Sequence, residues 1–168
     1  MLTEIALGHA YRVTPTGLYL ISTAHEDKRN VQFAFRSLGI SDEPPLLLIG
    51  IQEDNFSREM IQKSREFVVN VCSEHQLHAV NRSRDLSGRN TEDKFLALGL
   101  ETLPARHVKV PLVAGCHANV ECRLVQEFFV EGLFLFVGEA LAAHIDDQVA
   151  PVGRLAGKTF RLNEQIEL

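Results

Sequence analysis

The sequence predicts a β-rich domain, a closed or nearly closed barrel of about six or seven short strands with two or three short helices. Three observations carry that prediction. Apolar runs are short and are separated by turn-forming residues rather than spaced at helical period. Between His117 and Leu124, the residues Ala118, Val120, Cys122 and Leu124 alternate with His117, Asn119, Glu121 and Arg123, the period of a half-buried strand. No Pro/Gly/Ser-rich linker, repeat or low-complexity run divides the 168 residues, so 1–168 reads as one domain. With 45% hydrophobic and 23% charged residues, that domain has the composition of an ordinary globular fold with a real core.

The elements follow in order. Gly17 to Thr23 is a β-branched and aromatic run closed by the polar turn His25 to Asn30, which predicts a strand and a hairpin. Val31 to Ile40 is the returning strand, interrupted near Arg36 to Gly39. Leu46 to Ile51 is an unbroken apolar strand whose entrance is marked by Pro44 and Pro45. Ser57 serves as N-cap for a short helix to Ser64, leading into a strand over Phe67 to Val71. A second short helix is expected over Gln76 to Arg82. Leu133 to Ala143 is apolar on both faces, so each face of that strand needs a cover, from a helix or from a second subunit. This points to a dimer interface. Gly157 to Leu162 closes the sheet as the last strand.

Charge and cysteine content exclude several classes. A net charge of -5 and the lack of any basic cluster leave nothing to neutralise a phosphate backbone, which argues against nucleic acid as a partner. The longest apolar runs, Leu46–Ile51 and Leu133–Gly138, are about six residues, against roughly 20 for a membrane span. Met1 to Ala10 has neither a basic start nor a continuous apolar core, so no secretory signal is expected. Cys72, Cys116 and Cys122 are odd in number and widely spaced, which fits a reducing cytoplasm.

Other constellations carry little chemistry. Cys72, His75 and His78 are spaced C-x-x-H-x-x-H, with Cys116-His117 as further donors, but the simpler reading is a small buried cysteine beside a short solvated helix, and no metal site is assigned. Asp42, Glu43, Asp146 and Asp147 read as turn residues. Ser22, Ser37 and Ser87 lack a nucleophile-elbow context. A haem would have to choose an axial ligand among His9, His25, His107, His117 and His144, and nothing singles one out.

A series of short motifs resembles the flavin reductase-like family of FMN-binding split barrels. The motifs run in order: Pro15 to Thr23; Asn30 with Ser41 and Pro44-Pro45; E-F-V-V-N at Glu66 to Asn70; S-G-R-N-T-E-D-K-F at Ser87 to Phe95; P-L-V leading to E-C-R at Glu121 to Arg123; and F-V-G-E-A at Phe136 to Ala140. The resemblance covers nearly the whole chain. It implies a six-stranded antiparallel Greek-key split barrel with short added helices, usually a homodimer with the flavin near the dimer interface. It also implies FMN or, as the alternative, FAD as cofactor, with NAD(P)H as hydride donor.

The cofactor-binding positions implied by the resemblance are Asn30, Phe33, Ala34, Phe35, Arg36, Ser37, Asn55 and Ser57, with Arg89 and Lys94 from the Ser87–Phe95 segment. Arg36 and Ser37 interrupt an apolar strand with a charge and a hydroxyl, and the competing reading is an exposed barrel edge. Around Ser87-Gly88 the competing reading is a helix start capped by Asn90 or Thr91 with Lys94 in solvent. No catalytic acid or base is expected, because hydride passes between nicotinamide and flavin. Two positions depart from the family pattern. Phe33 and Phe35 stand where many members carry Thr and Ser, which shifts the phosphate onto Arg36, Ser57, Arg58 or Arg89. Leu133 stands where many reductases carry a His before V-G-E. That second departure, with no G-x-G-x-x-G unit in the chain, keeps open an electron-transfer module reduced by a protein partner, and behind it a haem- or ligand-binding split barrel.

Overall fold

The computed structural model describes residues 4–163. A 3₁₀ turn over Leu7–Val13 precedes β1 (Thr16–Gly17), β2 (Tyr19–His25), β3 (Lys28–Ala34), β4 (Ser37–Asp42) and β5 (Pro45–Gln52). Next come α1 (Phe56–Ser64), β6 (Glu66–Val71), a 3₁₀ turn over Glu74–Gln76, α2 (Leu77–Arg82) and α3 (Lys94–Ala97). The chain closes with β7 (Thr102–Leu103), β8 (Leu112–Val113), the long hairpin β9 (Ala118–Val130) and β10 (Leu133–Ile145), then β11 (Val152–Leu155) and β12 (Lys158–Arg161).

Seven strands form the main sheet, in the order β3-β2-β6-β9-β10-β5-β4, and each neighbouring pair is antiparallel. Its two edges, β3 and β4, are joined by only Phe35 and Arg36. Consecutive strands on opposite edges require the sheet to curl round until those edges approach, so the sheet is a barrel split at that corner. The expected strand Val31–Ile40 is thus two strands, broken at Phe35 and Arg36 where the interruption was expected, and the seven strands of the sheet lie within the six or seven expected.

The interior of the barrel is filled by Ile21, Ile49, Ile61, Phe67, Cys122 and Phe136. A second cluster, with Leu20, Val31, Phe95, Leu98 and Val113, forms beneath α2 and α3. A third cluster corrects the alternating pattern on β9. Val108, Val110 and Leu112 lie over Val68, so the outer face of β6 and β9 is covered as well. Asn119 and Glu121, on the polar side of the alternation, are therefore buried along with Cys122 and Leu124. They are satisfied locally: the Glu121 carboxylate accepts backbone N–H bonds from Arg106, His107 and Val108 and pairs with His144 Nε2 at 2.8 Å. The closing strand expected at Gly157–Leu162 also lies elsewhere. It is β12, in a small separate sheet ordered β1-β11-β12.

Candidate functional site

The split corner opens a cleft of about 710 Å³, well within the range of small-molecule sites. β3 and the Phe35-Arg36 link form one wall, the β5–α1 connection supplies Gln52, Asp54 and Asn55, and the Ser83–Gly88 loop and Lys94 face them.

Asn30 and Gln32 are two apart on β3 and so project to one side. Asn30 Nδ2 donates to Ser57 Oγ at 2.8 Å, tying β3 to the first turn of α1. Its Oδ1, and Oε1 of Gln32, are buried without a hydrogen-bond partner. An unpartnered buried acceptor costs about 1–3 kcal/mol, so two on one wall mark a place where donors are wanted. Gly88 closes over the pair: a Cβ there would overlap Oδ1 of Asn30.

Lys94 is the buried charge of the site. Asp93 caps α3 by accepting from the N–H groups of Phe95 and Leu96 at 2.9 and 3.2 Å and holds Arg29 through its other oxygen. With Phe95 fully buried as the anchor, the docked turn draws Lys94 to 5% exposure. Desolvation lowers its pKa to about 8. Among the described residues no carboxylate pairs with it, so an anion in the cleft would supply the missing countercharge.

The mouth alternates cations with rings. The Arg36 guanidinium sits 4.3 Å from the Phe35 centroid and that of Arg84 5.2 Å from Phe33, while the two rings are 6.0 Å apart. Gly50 makes room for the Arg36 side chain, since a Cβ there would come 3.0 Å from Arg36 Cδ. Such a rim suits a planar group joined to an anionic one.

Of the positions singled out in the sequence, Asn30, Phe33, Ala34, Phe35, Arg36, Asn55 and Lys94 line this cleft. Ser37, Ser57 and Arg89 do not. Ser37 begins β4 opposite Ile49, and Ser57 is buried behind Asn30. Arg89 is held by Glu59 at 2.6 and 3.0 Å and by the Asp54 carbonyl, stapling the Ser87–Thr91 loop onto α1. Lys94 is buried rather than solvated. Gln32, Gln52 and Arg84 were not anticipated; only the polar pair Asn30 and Gln32 on one strand face carried a signal. Leu133 pairs with Gln52, and its Cδ2 lies 3.5 Å from where a Gly50 Cβ would stand, beside the cleft floor. Among the described residues no three His, Cys, Asp or Glu side chains converge as metal ligands, and no helix is long and apolar enough to cross a membrane.

Comparison with known proteins agrees with this architecture. Residues 11–158 match the family described as flavin reductase like domain. A protein of Archaeoglobus fulgidus is 37% identical over 76% of this chain and 71% of its own length. Among solved structures, the Streptomyces globisporus NADH:FAD oxidoreductase SgcE6 superposes with a TM-score of 0.85 at 21% identity, covering 94% of this chain and 92% of that one. A second structure of it is a complex with NAD and FAD fragments. The flavoredoxin of Desulfovibrio vulgaris gives 0.85 at 22% identity, covering 99% and 97%.

Proposed function

The chain belongs to the flavin reductase like domain family and is an oxidoreductase of that family, and from that premise we propose that it holds FMN in the split-corner cleft and takes hydride from NAD(P)H. The observation that carries the reading is the coincidence, on one wall, of two buried unpartnered carbonyl oxygens with a buried ammonium opposite. FMN offers the complement: N–H and ribityl O–H donors for Asn30 and Gln32, and a phosphate for a cation. FAD carries the same groups, and the choice between the two flavins belongs to this proposal.

When bound, the flavin supplies the hydride-accepting chemistry, so the chain needs no acid–base pair of its own. Its residues bind and orient. Asn30, fixed by Ser57, presents an acceptor of defined direction. Arg36 and Arg84 meet phosphate charge at the rim, and Phe33 and Phe35 offer apolar faces to a flat ring. The structure of SgcE6 in complex with NAD and FAD fragments supports a nicotinamide nucleotide as the second ligand. The proposal includes a homodimer, because the tip of the β9–β10 hairpin leaves Phe128, Phe129 and Val130 exposed.

A second reading, a flavin module reduced by a protein partner, is favoured by Leu133, which places an alkyl group beside the Gly50 floor where a reductase would want a polar contact. One experiment separates the two. The purified protein is loaded with FMN under anaerobic conditions and its visible spectrum followed on adding NADH, then NADPH. Prompt bleaching is the expected result. Bands that persist until dithionite is added would transfer the assignment to the partner-fed module, and failure to retain FMN or FAD would overturn the flavin reading.

A further inference from the structure

Lys94 follows two acidic residues, Glu92 and Asp93, yet among the described residues neither forms an ion pair with it. Glu92 is exposed. Asp93 is occupied elsewhere. Its Oδ2 accepts from Arg29 Nη2 at 2.5 Å and from Arg29 Nε at 2.9 Å, and its Oδ1 accepts from the N–H groups of Phe95 and Leu96. Four donors match the roughly four lone-pair sites of a carboxylate. Burial would raise the Asp93 carboxyl, but the Arg29 bond and the two N–H groups outweigh it and hold the group below its usual range.

Arg29 is itself fixed. Its Nη1 donates to Thr102 Oγ1 at 3.2 Å, and its guanidinium lies 5.2 Å from the Phe95 ring centroid. It stands on β3 next to Asn30, and successive strand residues project to opposite faces. One face of β3 thus lines the cleft through Asn30 and Gln32, while the other holds α3 through Arg29, with Val31 in the same apolar cluster as Phe95. The strand that supplies the buried acceptors also decides which carboxylate the neighbouring ammonium meets.

We propose that Arg29 is a positioning residue that sets ligand specificity: by holding Asp93 it leaves the Lys94 charge to the ligand's phosphate, so that the cleft selects phosphorylated flavins over riboflavin. This inference rests on the flavin reading. Arg29 does not line the cleft, so it acts through Asp93 and not by contact. Without it, the Asp93 carboxylate either turns to Lys94 as counter-ion or stays unneutralised one residue away. Both courses weaken the attraction for phosphate and leave the acceptors Asn30 and Gln32 as they are.

The test uses the full chain, Arg29→Met, Arg29→Lys and the double variant Arg29→Met with Asp93→Asn. FMN and riboflavin are titrated by flavin fluorescence. The expected result is that the wild type prefers FMN and that Arg29→Met lowers the FMN-to-riboflavin affinity ratio by about tenfold or more, while Arg29→Lys recovers part. The double variant should restore the ratio, because an amide keeps the capping oxygen and removes the charge. An unchanged ratio in Arg29→Met would overturn the proposal. So would a double variant as impaired as Arg29→Met, since that would make Arg29 a packing residue for α3. A second measurement needs no flavin: the Lys94 side chain is titrated by NMR in the unliganded protein. It should lose its proton at about 8 in the wild type and at higher pH in Arg29→Met, as Asp93 becomes its counter-ion. A wild type that binds neither flavin would overturn the flavin reading and the selection that rests on it, while this titration shift would still establish the charge arrangement. A protein that binds FMN but shows neither the shift nor the change in ratio would keep the flavin reading and lose the role of Arg29.

Discussion

Lys94 shows what one residue contributes and what it costs. Its ammonium is desolvated, and its pKa falls to about 8. Between that value and the ordinary lysine range near 10.4, the unfolded chain binds more protons than the folded one, so the stability of the flavin-free protein should rise with pH through this window. Lys94→Met should abolish the rise, as read by urea midpoints between pH 7 and 10.5, and should stabilise the flavin-free protein at pH 7. The same variant should weaken FMN binding by about tenfold or more, since the phosphate loses a buried countercharge. A variant that binds FMN with wild-type affinity would remove Lys94 from the site. In the sequence, Lys94 and Arg89 were equivalent cations five residues apart. Only docking separated them: Phe95 pulls Lys94 inward, while Glu59 holds Arg89 on the surface of α1.

At the scale of elements, β9 is the strand whose period was plainest and whose burial was read least completely. Alternation identified the strand and its inner face, Cys122 and Leu124, because a strand's own pleat sets it. That Glu121 and Asn119 are buried too depends on residues 104–113 lying over the outer face, which no local pattern announces. Burial would raise the Glu121 pKa, but the N–H groups of Arg106, His107 and Val108 and the His144 ring outweigh it and hold the carboxyl below its usual range. A depressed carboxyl contributes stability that is present above the ordinary carboxylate pKa and lost as pH falls through the lowered value. Glu121→Ala should therefore cost about 3 kcal/mol at pH 7 by stranding those backbone donors, and the wild-type and variant stabilities should converge toward pH 2. A parallel offset at all pH values would mean that the cost comes from packing rather than charge. The hairpin β2–β3 was read from a turn at His25 to Asn30, but the turn is only Glu26 and Asp27, and Lys28, Arg29 and Asn30 already pair with His25, Ala24 and Thr23. The last strand was assigned to the wrong sheet because β12 pairs with β11, and strand propensity does not name a partner.

For the whole molecule, the exposed tip of the β9–β10 hairpin is the feature a single copy leaves unexplained. Phe128, Phe129 and Val130 are each more than half exposed, at 51%, 55% and 51%, and a contiguous apolar patch of that kind favours association. Sedimentation equilibrium should give twice the chain mass, and Phe128→Glu with Phe129→Glu should halve it while leaving the β-sheet circular dichroism signal unchanged. A wild-type monomer at micromolar concentration would remove the dimer from the proposal. The sequence by itself determined the β-rich class, the order of the principal strands and helices, and the family, because turn residues, period-two alternation and the motif series are local properties of the chain. The tertiary structure alone decided that β3 and β4 are opposite edges of one sheet, that Asn30, Arg84 and Lys94 face a common cleft, and that Arg89 does not. Each of these depends on curling the sheet until Phe35 and Arg36 bridge its two edges, and such a closure brings together residues whose separation along the chain carries no trace of their distance in space.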